Sequence, residues 1–341
     1  VHDGSPYADQ LQAVFAETFK GMGGEITAQE AVNVGDTDMR PLLTSIAVDA
    51  PEFLYYPIFI AEGGFITTQA KEIAGLEDTI LAGADGMQSP DFVEAAGDAG
   101  EGMYFSGPDL TANVADMYES FLEKHQAKYG EDTLSVFHAH AYDAANIFFN
   151  AIEEVGVMDA DGNLHIGRKA LRDAVYGTSN FSGVTGNLNC NADGDCADPS
   201  INVAQLQNGE YVPVWSAKEG MVGETEEPPM VGEFECTDEL GCVTVNDGEK
   251  LRLATALVIS GPNETLGIDS QRGVEIAIDD RGEVLGFPIE LVAEDGQCSA
   301  EGGQTAATKI TSDETIVGVV GHNCSSSCTP AAPIYDQAGF T

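Results

Sequence analysis

The 341-residue sequence predicts an α/β protein in which parallel sheets carry helices on both faces. Short apolar runs of strand length alternate with longer segments whose apolar residues recur every three or four positions. This alternation stops at an acidic stretch and starts again at Leu251. Strands and helices that alternate at this spacing form parallel sheets, and ligands bind at the carboxyl ends of the strands. The length allows one large or two medium domains.

The elements before residue 216 follow from local patterns. A helix at 7–22 is predicted because residues such as Leu11 and Phe15 fall on one face. Asp36 or Thr37 is the expected N-cap of the next helix. The further helices are expected at 36–47, 62–73, 113–129, 137–155 and 168–176. The strands are expected at 26–34, 53–56, 79–83, 102–106 and, after a run of short strands and polar turns, 211–215.

The second part of the chain starts after a linker. The stretch 216–250 is rich in Glu and Gly, contains Pro228 and Pro229, and lacks periodicity. As a flexible coil it would span roughly 33 Å, enough to return across one domain. Beyond it, strands are expected at 251–258, 287–293 and 316–320, and helices at 267–279, 301–309 and 324–338.

The charge of the chain is strongly negative. Lys and Arg total 14 and Asp and Glu total 57, which gives a net charge of −43. Such a surface repels phosphate groups, so nucleic acid is not expected as a partner and anionic lipid would be a poor one. The acidic residues are spread along the chain, which favours a solvated surface suited to salt water. A dedicated cation-binding surface is the alternative.

The cysteine spacing favours disulfides. Cys190 and Cys196 enclose five residues in a turn-like stretch, and so do Cys236 and Cys242. Zinc is a poorer explanation, because the sequence has neither a C-x2-C pair nor a Cys/His quartet. Disulfides indicate an oxidising, extracytoplasmic setting.

Three further cysteines lie in the second part. Cys298 and Cys324 each follow a strand-like run, and Cys328 is left over. Since Cys328 lies four residues after Cys324, the two share a face if the segment is helical. Either could therefore pair with Cys298.

Several runs together resemble one family. AGDAGEGM (96–103) and GHNCSSS (321–327) are the strongest, and VHDGSPYADQL (1–11) and AYDAANIFFNAI (141–152) add to them. They resemble the leucine/isoleucine/valine-binding proteins, the type I periplasmic solute-binding proteins of ABC transporters. The resemblance implies two doubly wound parallel-sheet lobes joined by a hinge.

The order of the parts differs from that family. The stretch 251–341 resembles the family's first lobe, whereas the residues before 216 resemble the later parts of its sequence. The chain is therefore expected to be circularly permuted or cut from a tandem of copies, with a segment missing that holds one strand–helix unit and a carboxylate-binding threonine. The resemblance assigns 1–136 to the second lobe without that unit, 137–182 to helices packing on the first lobe, 183–215 to strands returning to the second lobe, 216–250 to the acidic linker and 251–341 to the first lobe.

The resemblance also indicates which residues would bind the α-carboxylate and the α-ammonium of a ligand. Ser325 matches the serine that binds an α-carboxylate, and it opens a helix whose first N–H groups lack partners. Asp85, beside Gly86, matches a glutamate that holds an α-ammonium by a charge-assisted hydrogen bond. Taken alone, Ser325 would be an ordinary N-cap, and Asp85 a turn residue.

The remaining site positions are apolar or aromatic. Phe59 and Phe137 match pocket residues that are often tyrosines, and Tyr7 matches a pocket tyrosine. Leu266 matches a loop position that bears an aromatic residue. The loss of two hydroxyls predicts an apolar pocket. Each aromatic, taken singly, would be a core residue.

The resemblance further implies a disulfide between Cys298 and Cys324, which braces the loop before Ser325. The two Asp-Gly stretches, 159–164 and 191–196, lack the glutamate that ends an EF-hand loop. His138 and His140 make a poor metal pair, because on a helix they point in different directions. We therefore expect no metal site and no cofactor.

The sequence as a whole predicts a binding protein. A nucleophile–base motif is absent, so we do not expect an enzyme. We expect an extracytoplasmic protein, periplasmic or at the cell surface, that captures a free amino acid, branched-chain or otherwise apolar, for ABC-transporter permease subunits. A membrane span is not expected, and a lipid anchor on a longer chain stays open. The alternatives are a ligand-sensing module of a receptor and a non-binding fragment of a tandem protein.

Overall fold

The computed structural model describes residues 1–196, 200–217 and 235–341. The centre of the predicted linker, 218–234, lies outside the described residues together with Pro228 and Pro229. The helices are α1 (Pro6–Gly21), α2 (Arg40–Ala47), α3 (Ile60–Ala70), α4 (Pro90–Ala96), α5 (Ala115–Tyr129), α6 (His138–Val155), α7 (Arg168–Tyr176), α8 (Glu264–Arg281), α9 (Ala300–Thr311) and α10 (Ser325–Gln337). The strands are β1 (Phe53–Tyr55), β2 (Ile80–Ala84), β3 (Tyr104–Pro108), β4 (Val157–Met158), β5 (Leu164–Gly167), β6 (Phe181–Gly183), β7 (Gly186–Leu188), β8 (Ile201–Gln207), β9 (Glu210–Ser216), β10 (Cys242–Val245), β11 (Leu251–Leu257), β12 (Glu283–Val284), β13 (Phe287–Asp295) and β14 (Ile316–Gly321).

Two main sheets organise the molecule. In the first, the order is β1-β2-β3-β8-β9, with β1, β2 and β3 parallel and the last two strands antiparallel. In the second, the order is β12-β13-β11-β14, and the three longer strands are parallel. The parallel strands and the helices between them agree with the α/β class that the sequence predicts.

Helix α6 packs against the second sheet although it lies in the first part of the chain. It crosses α8 closely, since a Cβ on Gly273 would lie 2.1 Å from the carbonyl oxygen of His138. The Phe148 ring fills the space over β14, where a Cβ on Gly318 would lie 2.1 Å away. The two glycines therefore set how near the helices and the sheet come to each other.

One buried apolar cluster reaches across both main sheets. It contains Tyr56, Ile58 and Met87 from the first part of the chain, together with Leu266 and Cys324 from the second. The carboxyl ends of β1, β2 and β11 thus meet in one core. This junction is the region in which the predicted site residues lie.

Two local predictions in the first part of the chain are wrong in detail. The predicted strand at 26–34 forms only an isolated parallel bridge between His2 and Ala31. The second helix begins at Arg40 after Met39, and Asp36 instead accepts a hydrogen bond from the Asn33 N–H at 2.9 Å. The position of Pro41 explains the late start, because proline favours the first turn of a helix.

The end of the predicted linker is also structured. Its residues Cys242–Val245 form β10, which pairs antiparallel with β5. Val243 and Val245 alternate into the core and are buried, whereas Thr244 is exposed. The period of two is a strand signal, although it spans only four residues.

The described residues contain three disulfides, Cys190–Cys196, Cys236–Cys242 and Cys298–Cys324. These are the pairs named from the sequence, and Cys328 is a free, exposed thiol. The choice of Cys324 over Cys328 follows from position. Cys324 is buried at the start of α10, directly beside Cys298.

Candidate functional site

The four apolar and aromatic residues predicted for the site lie in one cluster. Tyr7 and Phe59 are in contact, with ring centroids 5.3 Å apart. Phe137 packs against the same cluster, and Leu266 is buried within it. All four lie in or just before the first turn of a helix, as expected for side chains at the carboxyl edges of parallel sheets.

Asp85 lies directly after β2, where it opens a short 3₁₀ turn. The Tyr7 hydroxyl donates to Asp85 Oδ1 at 2.6 Å, and the Gly86 N–H donates to the same oxygen at 3.0 Å. Burial raises the pKa of the Asp85 carboxyl above its usual range, while these hydrogen bonds oppose the rise. A carboxylate that is costly to bury alone is a strong acceptor for a cationic group.

The phenol of Tyr7 stays neutral beside this carboxylate. Burial raises its pKa well above the usual range, and the charge of Asp85 raises it further. The hydroxyl therefore donates to Asp85 and in turn accepts from the Gly86 N–H at 3.2 Å. The three residues form one small polar network inside an apolar cluster.

Gly86 is closely confined. A Cβ at this position would lie 3.1 Å from the Ile58 carbonyl oxygen and 3.3 Å from Tyr7. These contacts are shorter than side chains normally make, so a larger residue would push Tyr7 away from Asp85. Gly86 thus leaves the space that the hydrogen bond between Tyr7 and Asp85 requires.

Tyr55 is a site neighbour that the sequence analysis missed. Burial raises the pKa of its hydroxyl to about 12, and the charge of Asp85 adds to the rise. Its hydroxyl also interacts with Ser106 on β3. The run FLYYP indicates a strand, but only the register of β1, β2 and β3 shows that Tyr55 turns toward Asp85.

Ser325 lies beside the cluster rather than in it. It is the first residue of α10 and is exposed, whereas the preceding Cys324 belongs to the cluster. The next serine, Ser326, donates from its hydroxyl to the Cys298 carbonyl oxygen at 2.8 Å. The disulfide and this hydrogen bond together fix the loop that precedes the helix.

A cavity of about 390 Å³ opens next to Phe59. It is lined from the first part of the chain by Asp3 and Glu62, and from the second part by Asn263 and Ser326. Asp3 Oδ2 and Asn263 Oδ1 are buried there without a hydrogen-bond partner in the described structure. Both parts of the chain therefore contribute polar groups to one cleft.

Asp269 is a positioning residue that sequence reasoning could not find. It is fully buried in α8 and accepts hydrogen bonds from the backbone N–H groups of Leu134, Phe137 and His138, at 2.8–3.0 Å. Its carboxylate also faces the His138 ring, with Oδ2 3.0 Å from Nδ1. Asp269 thus caps α6 from a distant helix and holds Phe137 at the cluster.

Within the described ranges, His, Cys, Asp and Glu side chains form no group of three or more that could hold a metal ion. The helices in that same part of the chain include none that is long and apolar enough to cross a membrane.

Comparison with known proteins identifies the family. A family model described as periplasmic binding protein matches residues 1–210 and 250–340. The chain belongs to this family of periplasmic binding proteins. Among curated relatives, a leucine-, isoleucine-, valine-, threonine- and alanine-binding protein of Pseudomonas aeruginosa is 27% identical over 198 residues, which are 57% of this chain and 49% of the relative. A Leu/Ile/Val-binding protein homologue of Brucella melitensis is 24% identical over 62% of this chain and 54% of the relative.

Solved structures of periplasmic binding proteins agree. A leucine-binding protein from Thermotoga maritima has a TM-score of 0.54 at 25% identity, over 62% of this chain and 57% of that one. A branched-chain amino-acid transporter substrate-binding protein from Streptococcus pneumoniae, solved with isoleucine, has a TM-score of 0.52 at 28% identity, over 63% and 58%. The type I periplasmic-binding-protein fold is therefore confirmed, whereas the permuted order of the parts stays a prediction. The chain spans about half the length of the curated relatives it matches.

Proposed function

We propose that this periplasmic binding protein captures a free amino acid with an apolar side chain between its two lobes, outside the cytoplasm, for uptake by an ABC-transporter permease. The observation that carries the proposal is the partly buried Asp85 carboxylate, which Tyr7 and Gly86 hold beside an apolar cluster. The names of the relatives support it, because they describe proteins that bind leucine, isoleucine and valine. Neither name describes an enzyme.

The α-ammonium of the ligand would bind at Asp85. Burial disfavours the ionised carboxylate, as the raised pKa shows. An ammonium that enters the site supplies the missing countercharge, and the interaction is strong because little water is present to screen it. Tyr7 would keep its hydrogen bond to Oδ1 and orient the carboxylate.

The side chain of the ligand would contact the cluster of Phe59, Phe137 and Leu266. These residues bring no hydroxyl or charge, so an aliphatic or aromatic side chain is preferred over a polar one. The α-carboxylate would bind at the start of α10, where Ser325 offers a hydroxyl next to unsatisfied backbone N–H groups. Ser325 is exposed, so its hydroxyl would be accessible to a ligand in the cleft.

The substitution Asp85→Asn tests the ammonium site. We expect wild-type protein saturated with leucine, isoleucine, valine or phenylalanine at about 100 times Kd to gain roughly 2.7 kcal/mol of stability. Asp85→Asn should lose this gain, because the amide keeps the shape but not the charge. The matched control is Asp98→Asn, which removes an exposed carboxylate and should keep the full response.

The same variant has a second, ligand-free signature. Because burial raises the pKa of Asp85 in the folded state, the ionised carboxylate lowers the free energy of unfolding at pH values above that pKa. At pH values below the pKa of the unfolded chain, the carboxyl is protonated in both states and has no such effect. Free Asp85→Asn should therefore gain stability over the wild type as the pH rises from 3 to 7. An unchanged ligand response in Asp85→Asn, or no response of the wild type to any of the four amino acids, would contradict the proposal.

A further inference from the structure

The backbone that follows Asp85 is held by a side chain from a distant strand. Asp85 opens the short turn at the end of β2, and its carbonyl oxygen accepts from the Gln88 N–H at 2.9 Å. The Tyr211 hydroxyl lies 2.9 Å from the Met87 carbonyl oxygen and 3.0 Å from the Ser89 carbonyl oxygen. It can therefore donate to either of the two carbonyl groups on the two sides of Gln88.

The same hydroxyl is also an acceptor. The Ser89 N–H donates to it at 3.3 Å. Burial raises the pKa of Tyr211 above its usual range, so the phenol keeps its proton and stays a donor as well. One neutral hydroxyl thus makes hydrogen bonds to the backbone before and after Gln88.

The β8–β9 hairpin fixes the position of Tyr211. Asn208 and Gly209 form its tight turn with φ of 54° and 82°, the conformation that an Asn-Gly pair favours. Tyr211 is the second residue of β9 and pairs with Leu206. Its ring meets Phe105 of β3 edge to face, with centroids 5.1 Å apart and planes at 84°. The ring is thus anchored on the first sheet while the hydroxyl reaches the turn after β2.

A second hydroxyl holds the residue in between. Ser135 is buried and donates from its hydroxyl to the Gln88 carbonyl oxygen at 3.2 Å. It belongs to the segment before α6 whose N–H groups donate to Asp269. The carbonyl groups of Met87, Gln88 and Ser89 are therefore all contacted by side-chain hydroxyls from other parts of the chain. Such support is expected of a segment that keeps a binding residue in place.

We propose that Tyr211 is a positioning residue for the Asp85 carboxylate. The turn that Tyr211 holds also contains Gly86, whose N–H donates to Asp85 Oδ1 at 3.0 Å. A shift of this backbone moves the carboxylate and the Gly86 donor away from the Tyr7 hydroxyl, which binds the same oxygen. A binding group is effective only when it is held to within about 0.5 Å. The inference rests on the proposed function, because Tyr211 supports the ammonium site.

Two matched variants test the inference. Tyr211→Phe removes the hydroxyl and keeps the ring, so the packing on Phe105 is retained. The control is Tyr129→Phe at the end of α5, which removes a half-buried hydroxyl that donates to Glu275 Oε2 at 2.8 Å. Each variant loses one hydroxyl, so a general loss of stability is common to both.

The first readout needs no ligand. Amide hydrogen exchange is followed by NMR at Gly86, with Tyr56 as the reference because its N–H donates to the Ala82 carbonyl oxygen within the first sheet. Tyr211→Phe should raise the ratio of the Gly86 exchange rate to the Tyr56 exchange rate about fivefold, the factor expected for one hydrogen bond. Tyr129→Phe should leave the ratio unchanged, because a loss of global stability speeds exchange at both amides alike.

Titration calorimetry with leucine supplies the second readout. We expect Tyr211→Phe to raise the Kd for leucine about fivefold and Tyr129→Phe to keep the wild-type value. An unchanged exchange ratio in Tyr211→Phe would overturn the inference, and so would a raised ratio with an unchanged Kd. If the wild type binds no leucine, a raised ratio still supports the positioning role, and the proposed function fails instead.

Discussion

Removal of the disulfide between Cys298 and Cys324 should destabilise the fold more than removal of the disulfide between Cys190 and Cys196. A crosslink restricts the unfolded chain, and the restriction grows with the loop that it closes. The first pair is separated by 26 residues in sequence, which corresponds to about 3.5 kcal/mol at 25 °C. The second is separated by 6 residues, which corresponds to about 2.2 kcal/mol.

The comparison uses two double variants, Cys298→Ser with Cys324→Ser and Cys190→Ser with Cys196→Ser. Both cysteines of a pair are replaced because a lone Cys298 could pair with Cys328, which is free and exposed. The free energy of unfolding is measured by denaturant titration at pH 7. The expected difference between the variants is about 1.3 kcal/mol.

The structure adds a local effect to this difference. The longer disulfide joins the loop after β13 to the start of α10, where Ser326 also binds the Cys298 carbonyl oxygen. Its loss should therefore also weaken the response to amino acids, whereas the loss of the shorter disulfide should not. Equal destabilisation by the two variants, or a larger loss without Cys190–Cys196, would refute the reasoning.

Two further predictions concern pH and salt. Burial lowers the pKa of His322 from 6.5 to about 4, so the folded state resists its protonation and stability should fall as the pH drops from about 6.5 to about 4. In His322→Gln this part of the pH dependence should disappear in parallel denaturant titrations, and an identical curve for both proteins would contradict it. The net charge of −43 predicts self-repulsion, so the melting temperature should rise between 0.01 M and 1 M NaCl as the screening length shortens from about 30 Å to about 3 Å. A melting temperature that stays constant or falls with added salt in calorimetry would contradict the prediction that self-repulsion destabilises the fold.

The regular elements could largely be predicted from the sequence, because their signals are local. Helix α1 follows from the apolar face that includes Leu11 and Phe15, and the structure adds the cap by Ser5, which accepts from the Ala8 N–H. The segment 26–34 shows the limit of this reasoning. Its composition favours a strand, but a strand forms only where a neighbour completes the ladder.

The candidate site was predictable only in part. The resemblance led to Tyr7, Phe59, Phe137 and Leu266, which the structure brings into one cluster. The hydrogen bond between Tyr7 and Asp85 joins residues 78 positions apart, and no periodicity reports such a contact. For the same reason the roles of Tyr55 and Asp269 depend on sheet register and helix packing rather than on sequence.

The cap of α6 by Asp269 has a consequence for how the molecule is made. The acceptor lies 131 residues beyond the His138 N–H that it binds. During synthesis from the amino terminus, the first turn of α6 therefore lacks this acceptor, and its apolar face lacks its cover, until α8 has been made. Contacts between residues far apart in sequence form slowly, and hydrophobic surface stays exposed until they form. The segments that pack on α6 should consequently stay loose until α8 has been synthesised.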